Sequence, residues 1–340
     1  MLTARWQQPG PCAIIARVQG LYAIVDVPDP YGFSVEAVTR AVLGDRLDGG
    51  RDGAALVQLR AKHASTEERV RWLADLVPLC RAAGAISIVD DDLEAALAGA
   101  ADGVHLGQHD AGADDLAAVR AQAAARGRGG PSSDHFRIGL STHDLGQLRA
   151  AGRQGPDYLA LGPVAPTRSK ANPDPVVGFS GLLDGCRVAS RPLVAIGGLD
   201  LARGCWAIEA GAAIVAVISA LQADALVLVR ERAIAMARAF RDAAAPLPFD
   251  EVCRRIPVLA PELLAELAHW GDALGVHIGL GLPARFGPRV EGGGPRYRPC
   301  DVLDLVEALG KRPDESWDAW RERSLEDEGG PLVQLRRRSL

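Results

Sequence analysis

With 340 residues, 48% of them hydrophobic and 24% charged, the chain is long enough for one large domain and something smaller behind it. A formal net charge of −5 and only 5% aromatic residues argue against a polyanion-coating protein or a base-stacking surface, so any anion site must come from a few placed cations. No apolar run approaches the length of a membrane span, and Met1–Pro11 has no apolar core followed by a small-residue cleavage site. The six cysteines (Cys12, Cys80, Cys186, Cys205, Cys253 and Cys300) form no CxxC pair. A reduced cytoplasmic protein without a membrane partner is expected.

Short Val/Ile/Leu/Ala-rich runs recur along the chain, each followed by a helical pattern. They fall at Leu21–Val25, Ala54–Arg60, Ile86–Val89, Gly103–Leu106, Arg137–Ser141, Tyr158–Gly162, Leu193–Ile196 and Ile214–Ile218. The runs are nearly continuous rather than alternating, as expected of parallel strands whose outer faces are covered by helices. Ser65-Thr66-Glu67-Glu68 reads as a capping box, and Asp200 opens a helix over Leu201–Ala210 that Gly211 closes. Strand and helix repeated eight times predict an α/β fold, a (β/α)₈ TIM barrel over residues 20–245, behind an N-terminal extension over residues 1–19. An open doubly wound sheet is the structural alternative.

After Ala245 the composition shifts. Ala243-Ala244-Ala245-Pro246-Leu247-Pro248 reads as a linker. Behind Pro261, residues Leu259, Leu263, Leu264, Leu267, Trp270 and Leu274 fall at helical spacing, and Val302, Leu303, Val306 and Leu309 form a second stripe. Residues 246–340 are therefore expected to form a small, mainly helical C-terminal appendage, packed on itself, on the barrel or on a partner, and a homo-oligomer is left open. The stretch Gly294–Leu303 weakly resembles the wing and last helix of small excisionase-like domains. The terminal Arg336-Arg337-Arg338 is too few charges to make nucleic acid an expected partner.

In a barrel of this kind the active site lies at the C-terminal strand ends, where polar residues stand out against apolar neighbours. Strand two ends in Gln58-Leu59-Arg60-Ala61-Lys62, and period-two alternation puts Gln58, Arg60 and Lys62 on one face, toward the barrel mouth. Two inward cations are costly unless an anion meets them. Strand three ends in Asp90-Asp91-Asp92, and strand four runs into His105-Leu106-Gly107-Gln108-His109-Asp110. Carboxylates there suit Mg²⁺ bridging to a phosphorylated ligand, although acidic residues after strands are also common helix caps. Strand six enters the hydroxyl- and cation-rich stretch Thr167-Arg168-Ser169-Lys170. Strands seven and eight end in Ile196-Gly197-Gly198 and Val217-Ile218-Ser219, where glycine lets a phosphate approach backbone N–H groups. His105 and His143 flank these strands and are read as orienting groups, with His109 solvated.

These strings, in this order, resemble the thiamine phosphate synthase family: VQLRAK at 57–62, VDD at 89–91, ADGVHLGQHD at 101–110, GLSTH at 139–143, GPVAPTRSK at 162–170, VAIGG at 194–198 and VAVISA at 215–220. The resemblance implies a Mg²⁺-dependent transferase acting on phosphorylated small molecules. A pyrimidine diphosphate loses pyrophosphate, and the resulting carbocation is captured by a thiazole phosphate. Residue by residue it implies Gln58, Arg60, Lys62, Asp90, Ser141 and Lys170 at the pyrimidine diphosphate. Within that set, Arg60, Lys62, Ser141 and Lys170 carry the catalytic load. It implies Asp91 and Asp110 at the metal, and Thr167, Arg168, Ser169, Gly198, Ile218 and Ser219 at the thiazole phosphate. One departure stands out, because Asp90 occupies the place where the family usually has asparagine. An extra carboxylate near a diphosphate is unfavourable by roughly 1–4 kcal/mol unless a cation meets it. Two other functions remain open: a thiazole tautomerase of the same superfamily, and a sensor of thiamine-related phosphates with a C-terminal interaction domain.

Overall fold

Eight parallel strands close on themselves in sequence order: β1 (Gly20–Asp26), β2 (Leu56–Arg60), β3 (Ile86–Asp90), β4 (Gly103–Leu106), β5 (Arg137–Thr142), β6 (Tyr158–Leu161), β7 (Leu193–Ile196) and β8 (Ile214–Val217). Closure is made where β1 pairs with β8, Gly20 opposite Ile214 and Ala23 opposite Val217. Eight helices alternate with them: α1 (Val35–Val42), α2 (Thr66–Ala82), α3 (Leu93–Ala98), α4 (Leu116–Ala125), α5 (Leu145–Arg153), α6 (Gly178–Val188), α7 (Leu201–Glu209) and α8 (Leu226–Ala244). The computed structural model describes residues 20–108, 110, 115–128, 135–167 and 174–245, and the strand backbone at 247–248, 289–290 and 295–297.

The continuous apolar runs have a simple cause, since each strand is buried on both faces. Outward side chains such as Leu21, Val57, Val89, Val104, Leu159 and Val215 pack under the helices. Inward ones, among them Tyr22, Ile24, Leu56, Ile88, Tyr158, Val194 and Ile214, form a separate cluster that fills the barrel. The helices begin where the sequence places their caps. Ser65 accepts from Glu68 N while Glu68 answers at Ser65 N, the expected capping box, and Asp200 accepts from Arg203 N. Ser34, Asp115 and Asp144 cap α1, α4 and α5 in the same way.

The chain divides into two compact units at Ala244/Ala245. The linker expected over residues 243–248 is shorter than its composition suggested. Ala243 and Ala244 complete α8, and Leu247–Pro248 forms β9. In the second unit β10 (Arg289–Val290) and β11 (Pro295–Tyr297) pair antiparallel, and β11 also pairs with β9. Pro248 is tolerated because β9 is an edge strand of this sheet, with no obligation to donate on its outer side. The apolar stripes at 259–274 and 302–309 lie outside the described residues. Among the described residues no helix is long and apolar enough to cross a membrane.

Candidate active site

A cavity of about 520 Å³ opens at the C-terminal ends of the barrel strands. Gln58, Arg60, Lys62, Asp90, Asp91, Asp110, Ser141, Thr167, Gly198, Ile218 and Ser219 all line it. Arg168, Ser169, Lys170 and His109 lie outside the described residues. The inward alternation on β2 holds: Gln58 is buried in the barrel, and Arg60 and Lys62 sit above it at the mouth.

Both cations are met by the chain's own carboxylates. Arg60 Nη1 is 2.5 Å from Asp26 Oδ1, and its Nε is 3.9 Å from Asp90 Oδ2. Lys62 Nζ is 2.9 Å from Asp90 Oδ2 and donates to Asp91 Oδ2 at 2.5 Å. Burial alone would lower the Lys62 pKa, but Asp90 and Asp91 outweigh it and raise the value. Asp90 is only 8% exposed. Burial, reinforced by Asp91, lifts its carboxyl to about 6 against the pull of Lys62. The carboxylate at the unusual position thus leans on a cation and accepts from Gln58 Nε2 at 2.6 Å.

The acidic triplet divides between two uses. Asp92 is a helix cap, accepting from Ala95 N at the start of α3 and from Thr66 Oγ1. Asp90 points inward at the end of β3. Asp91 also lines the cavity, which simple alternation would forbid for consecutive residues. Its backbone turns instead through φ 63°, pinned by Asp91 N donating to His105 O at 2.8 Å. Aspartate tolerates this left-handed geometry better than most residues, and such strain is often kept where a functional side chain must be aimed.

Asp110 folds back so that its Oδ2 accepts from Gly107 N at 2.5 Å. A Cβ at Gly107 would lie 2.7 Å from that oxygen, so glycine is what permits the fold. Asp110 and Asp91 are hydrogen-bonded to each other. Burial first, then Asp91, raises the Asp110 pKa, while Asp91 is held low against its own burial by Asp110 and Lys62. Two neighbouring carboxylates beside a lysine are a hard-oxygen donor pair. Mg²⁺ commonly takes one or two carboxylates and completes its shell with phosphate oxygens and water, so the pair fits that ion. Among the described residues no group of three or more His, Cys, Asp or Glu side chains is arranged so that it could by itself hold a metal ion.

Across the mouth, the turns after β6 and β7 are pressed together backbone to backbone. Val164 N donates to Ile196 O, and Ala165 N to Gly197 O, both at 2.9 Å. Gly197 and Gly198 have φ values of 95° and 67°, and a Cβ on Gly198 would stand 2.5 Å from Pro166 O. This leaves a shallow edge of main chain shared with Ile218 and Ser219, the kind of surface an anion approaches at such barrel ends.

Beneath the cations runs a hydrogen-bonded series that no motif marked. Tyr22 OH is 2.6 Å from Gln58 Oε1 and 3.1 Å from Tyr158 OH. Tyr158 OH is 3.1 Å from His105 Nδ1, and His105 Nε2 is 2.9 Å from Ser141 Oγ. The Tyr158 and His105 rings stack with centroids 5.5 Å apart. Burial depresses the His105 pKa to about 4, so the ring is neutral. The only sequence hint is that two of the chain's four tyrosines occupy inward positions on otherwise aliphatic strands. His143, read as an orienting group, donates from Nδ1 to Gly162 O at 2.8 Å, with Nε2 3.4 Å from Asp174.

The family model for thiamine monophosphate synthase matches residues 21–221, all eight strands and the cavity they surround. The chain belongs to the thiamine monophosphate synthase family. It is 43% identical over 169 residues to the thiamine-phosphate synthase of Chlorobium phaeovibrioides, covering 50% of this chain and 75% of that one. The corresponding enzyme of Chloroflexus aurantiacus is 36% identical over 203 residues, covering 60% and 85%. The thiamine phosphate pyrophosphorylase of Pyrococcus furiosus superposes with a TM-score of 0.54 at 29% identity, over 67% of this chain and 98% of that one. Membership makes the chain a thiamine-phosphate synthase by homology, a transferase of thiamine biosynthesis.

Proposed function

We propose that the barrel joins 4-amino-2-methyl-5-(diphosphooxymethyl)pyrimidine to a 4-methyl-5-(2-phosphoethyl)thiazole, or its carboxylated form, releasing pyrophosphate. One observation carries the reading. A cation pair, a neighbouring carboxylate pair and a glycine edge face one cavity of about 520 Å³, large enough for two small phosphorylated molecules.

Each group has a role that its surroundings support. Arg60 and Lys62 bind the diphosphate, exchanging part of their pairing with Asp26, Asp90 and Asp91 for its oxygens. Lys170 joins them as the C–O bond of the pyrimidine methylene breaks and negative charge develops on the leaving group. Asp91 and Asp110 hold Mg²⁺, which when bound supplies charge neutralisation at the departing pyrophosphate. Gln58 and Ser141, on β2 and β5, orient the pyrimidine. The barrel floor of Tyr22, Ile24, Tyr158 and Val194 keeps water from the methylene cation. Thr167, Arg168 and Ser169, with Gly198, Ile218 and Ser219, hold the thiazole phosphate so that its ring nitrogen stands next to that cation. A cytoplasmic location suits such substrates.

The test is pyrophosphate release by the full chain with both substrates and Mg²⁺. Release that requires both substrates supports the reading. Isomerisation of a thiazole without release would mean a tautomerase, and tight binding without turnover would mean a sensor.

A further inference from the structure

The contacts beneath the cations have a direction, and it follows from proton counting. A carboxylate has no hydrogen to give, so at Asp90 the Gln58 amide must present Nε2–H, which leaves Oε1 toward Tyr22. Tyr22 must then donate to Oε1, and its one proton is used. The 3.1 Å contact between the tyrosines therefore takes its hydrogen from Tyr158. With that proton also used, the contact to His105 must be Nδ1–H donating to Tyr158 Oη. A neutral imidazole protonated at Nδ1 has a bare Nε2, which accepts from the Ser141 hydroxyl at 2.9 Å.

We infer that Asp90, acting through Gln58, Tyr22, Tyr158 and His105, positions Ser141 by fixing its hydroxyl proton on His105, so that Ser141 offers the cavity its lone pairs. Of these intermediates, Tyr22, Tyr158 and His105 are positioning residues. They are at most 7% exposed, so water does not compete for their hydrogen bonds. A hydroxyl committed in this way receives a ligand N–H and is a poor partner for an anionic oxygen. Within the proposed synthase reaction, on which this inference rests, Ser141 therefore meets a donor group of the pyrimidine rather than its diphosphate.

The direction can be read without turnover, because ¹⁵N shifts of an imidazole distinguish Nδ1–H from Nε2–H. The full chain is labelled on histidine and measured at about pH 8, above the ordinary carboxylate range. The expected result is the Nδ1–H form of His105 in the parent and in Ser141→Ala, because the direction is set at the far end. Tyr22→Phe leaves the Tyr158 proton free to turn toward Nδ1. Asp90→Asn supplies a donor at the head of the series. Both variants are expected to raise the Nε2–H form. An Nε2–H parent, or a form that changes in Ser141→Ala but not in Tyr22→Phe or Asp90→Asn, overturns the inference.

Kinetics test the functional half. Tyr22→Phe should lower kcat by about tenfold, the scale of one neutral hydrogen bond, with the thiazole phosphate KM unchanged. Full kcat with an altered tautomer would mean that the series does not position Ser141. An inactive parent with the Nδ1–H form would instead sink the synthase reading and leave the direction standing.

Discussion

Asp90 accepts from the Gln58 amide nitrogen at 2.6 Å, so the end of β3 is tied to the middle of β2 at the floor of the mouth. The same carboxylate holds Lys62 at 2.9 Å. Asp90→Asn would release that hold while keeping the side chain's size. The expected outcome is an affinity for the pyrimidine diphosphate that is equal to the parent's or better, since Lys62 then answers to Asp91 alone. Isothermal binding in the presence of Mg²⁺ measures it. A loss of affinity beyond tenfold that added Mg²⁺ reverses would mean that Asp90 has become a third metal contact, whereas a loss that Mg²⁺ leaves unchanged would trace to the Ser141 hydroxyl.

Asp91→Asn and Asp110→Asn each remove half of the carboxylate pair. Both should raise the Mg²⁺ concentration needed for half-maximal activity and lower turnover by about tenfold or more. Magnesium titrations that superpose on the parent's would remove these two residues from the metal.

Gly198→Ala tests the phosphate edge. At φ 67° the new Cβ would meet Pro166 O at 2.5 Å and Ala165 O at 2.6 Å. Left-handed geometry costs a residue with a Cβ about 1–2 kcal/mol before any clash. The thiazole phosphate KM should rise about tenfold or more while the pyrimidine KM stays put, because only one wall is disturbed. Equal rises in both would place the edge elsewhere.

His105 and Asp90 make opposing contributions to stability against pH. The His105 pKa falls from 6.5 to about 4 on folding, so the unfolded chain takes up the proton first and stability is lost as pH falls from 6.5 toward 4. The Asp90 pKa rises from 3.8 to about 6, so stability is lost as pH rises over that interval. Between about 4 and 6 the two offset each other. Asp90→Asn should unmask the histidine slope, adding acid sensitivity of up to roughly 3 kcal/mol relative to the parent. His105→Gln should show the reverse slope. Urea midpoints across this range decide it, and variant curves parallel to the parent's would contradict both assignments.

Removing residues 246–340 should leave a folded barrel with substantial turnover. Strand closure is complete at β8, and the described residues lining the cavity all lie between Tyr22 and Ser219. Turnover and melting temperature of residues 1–245 beside the full chain measure the effect. A well-folded but inactive truncation would mean that the second unit completes the site.

The strand positions and the inward face of Gln58, Arg60 and Lys62 were legible in the chain because they are local consequences of periodicity. A strand buried on both faces must be apolar throughout, so any polar residue near its end stands out. The capping box at Ser65 is local in the same sense, and so is the glycine pair at 197–198. The acidic triplet could not be divided from sequence alone. Whether Asp92 caps α3 while Asp91 reaches the cavity depends on a backbone turn through φ 63° that the His105 carbonyl across the strand gap holds in place. The pairing of Lys62 with Asp90 depends likewise on register between neighbouring strands. The series from Asp90 to Ser141 was the least visible. Its members come from β1 to β6, and residues as far apart as Tyr22 and Tyr158 meet only when β1 closes on β8. Composition and period act along the chain, whereas the direction of a buried hydrogen bond is decided by which donors and acceptors the closed barrel brings together and shields from water.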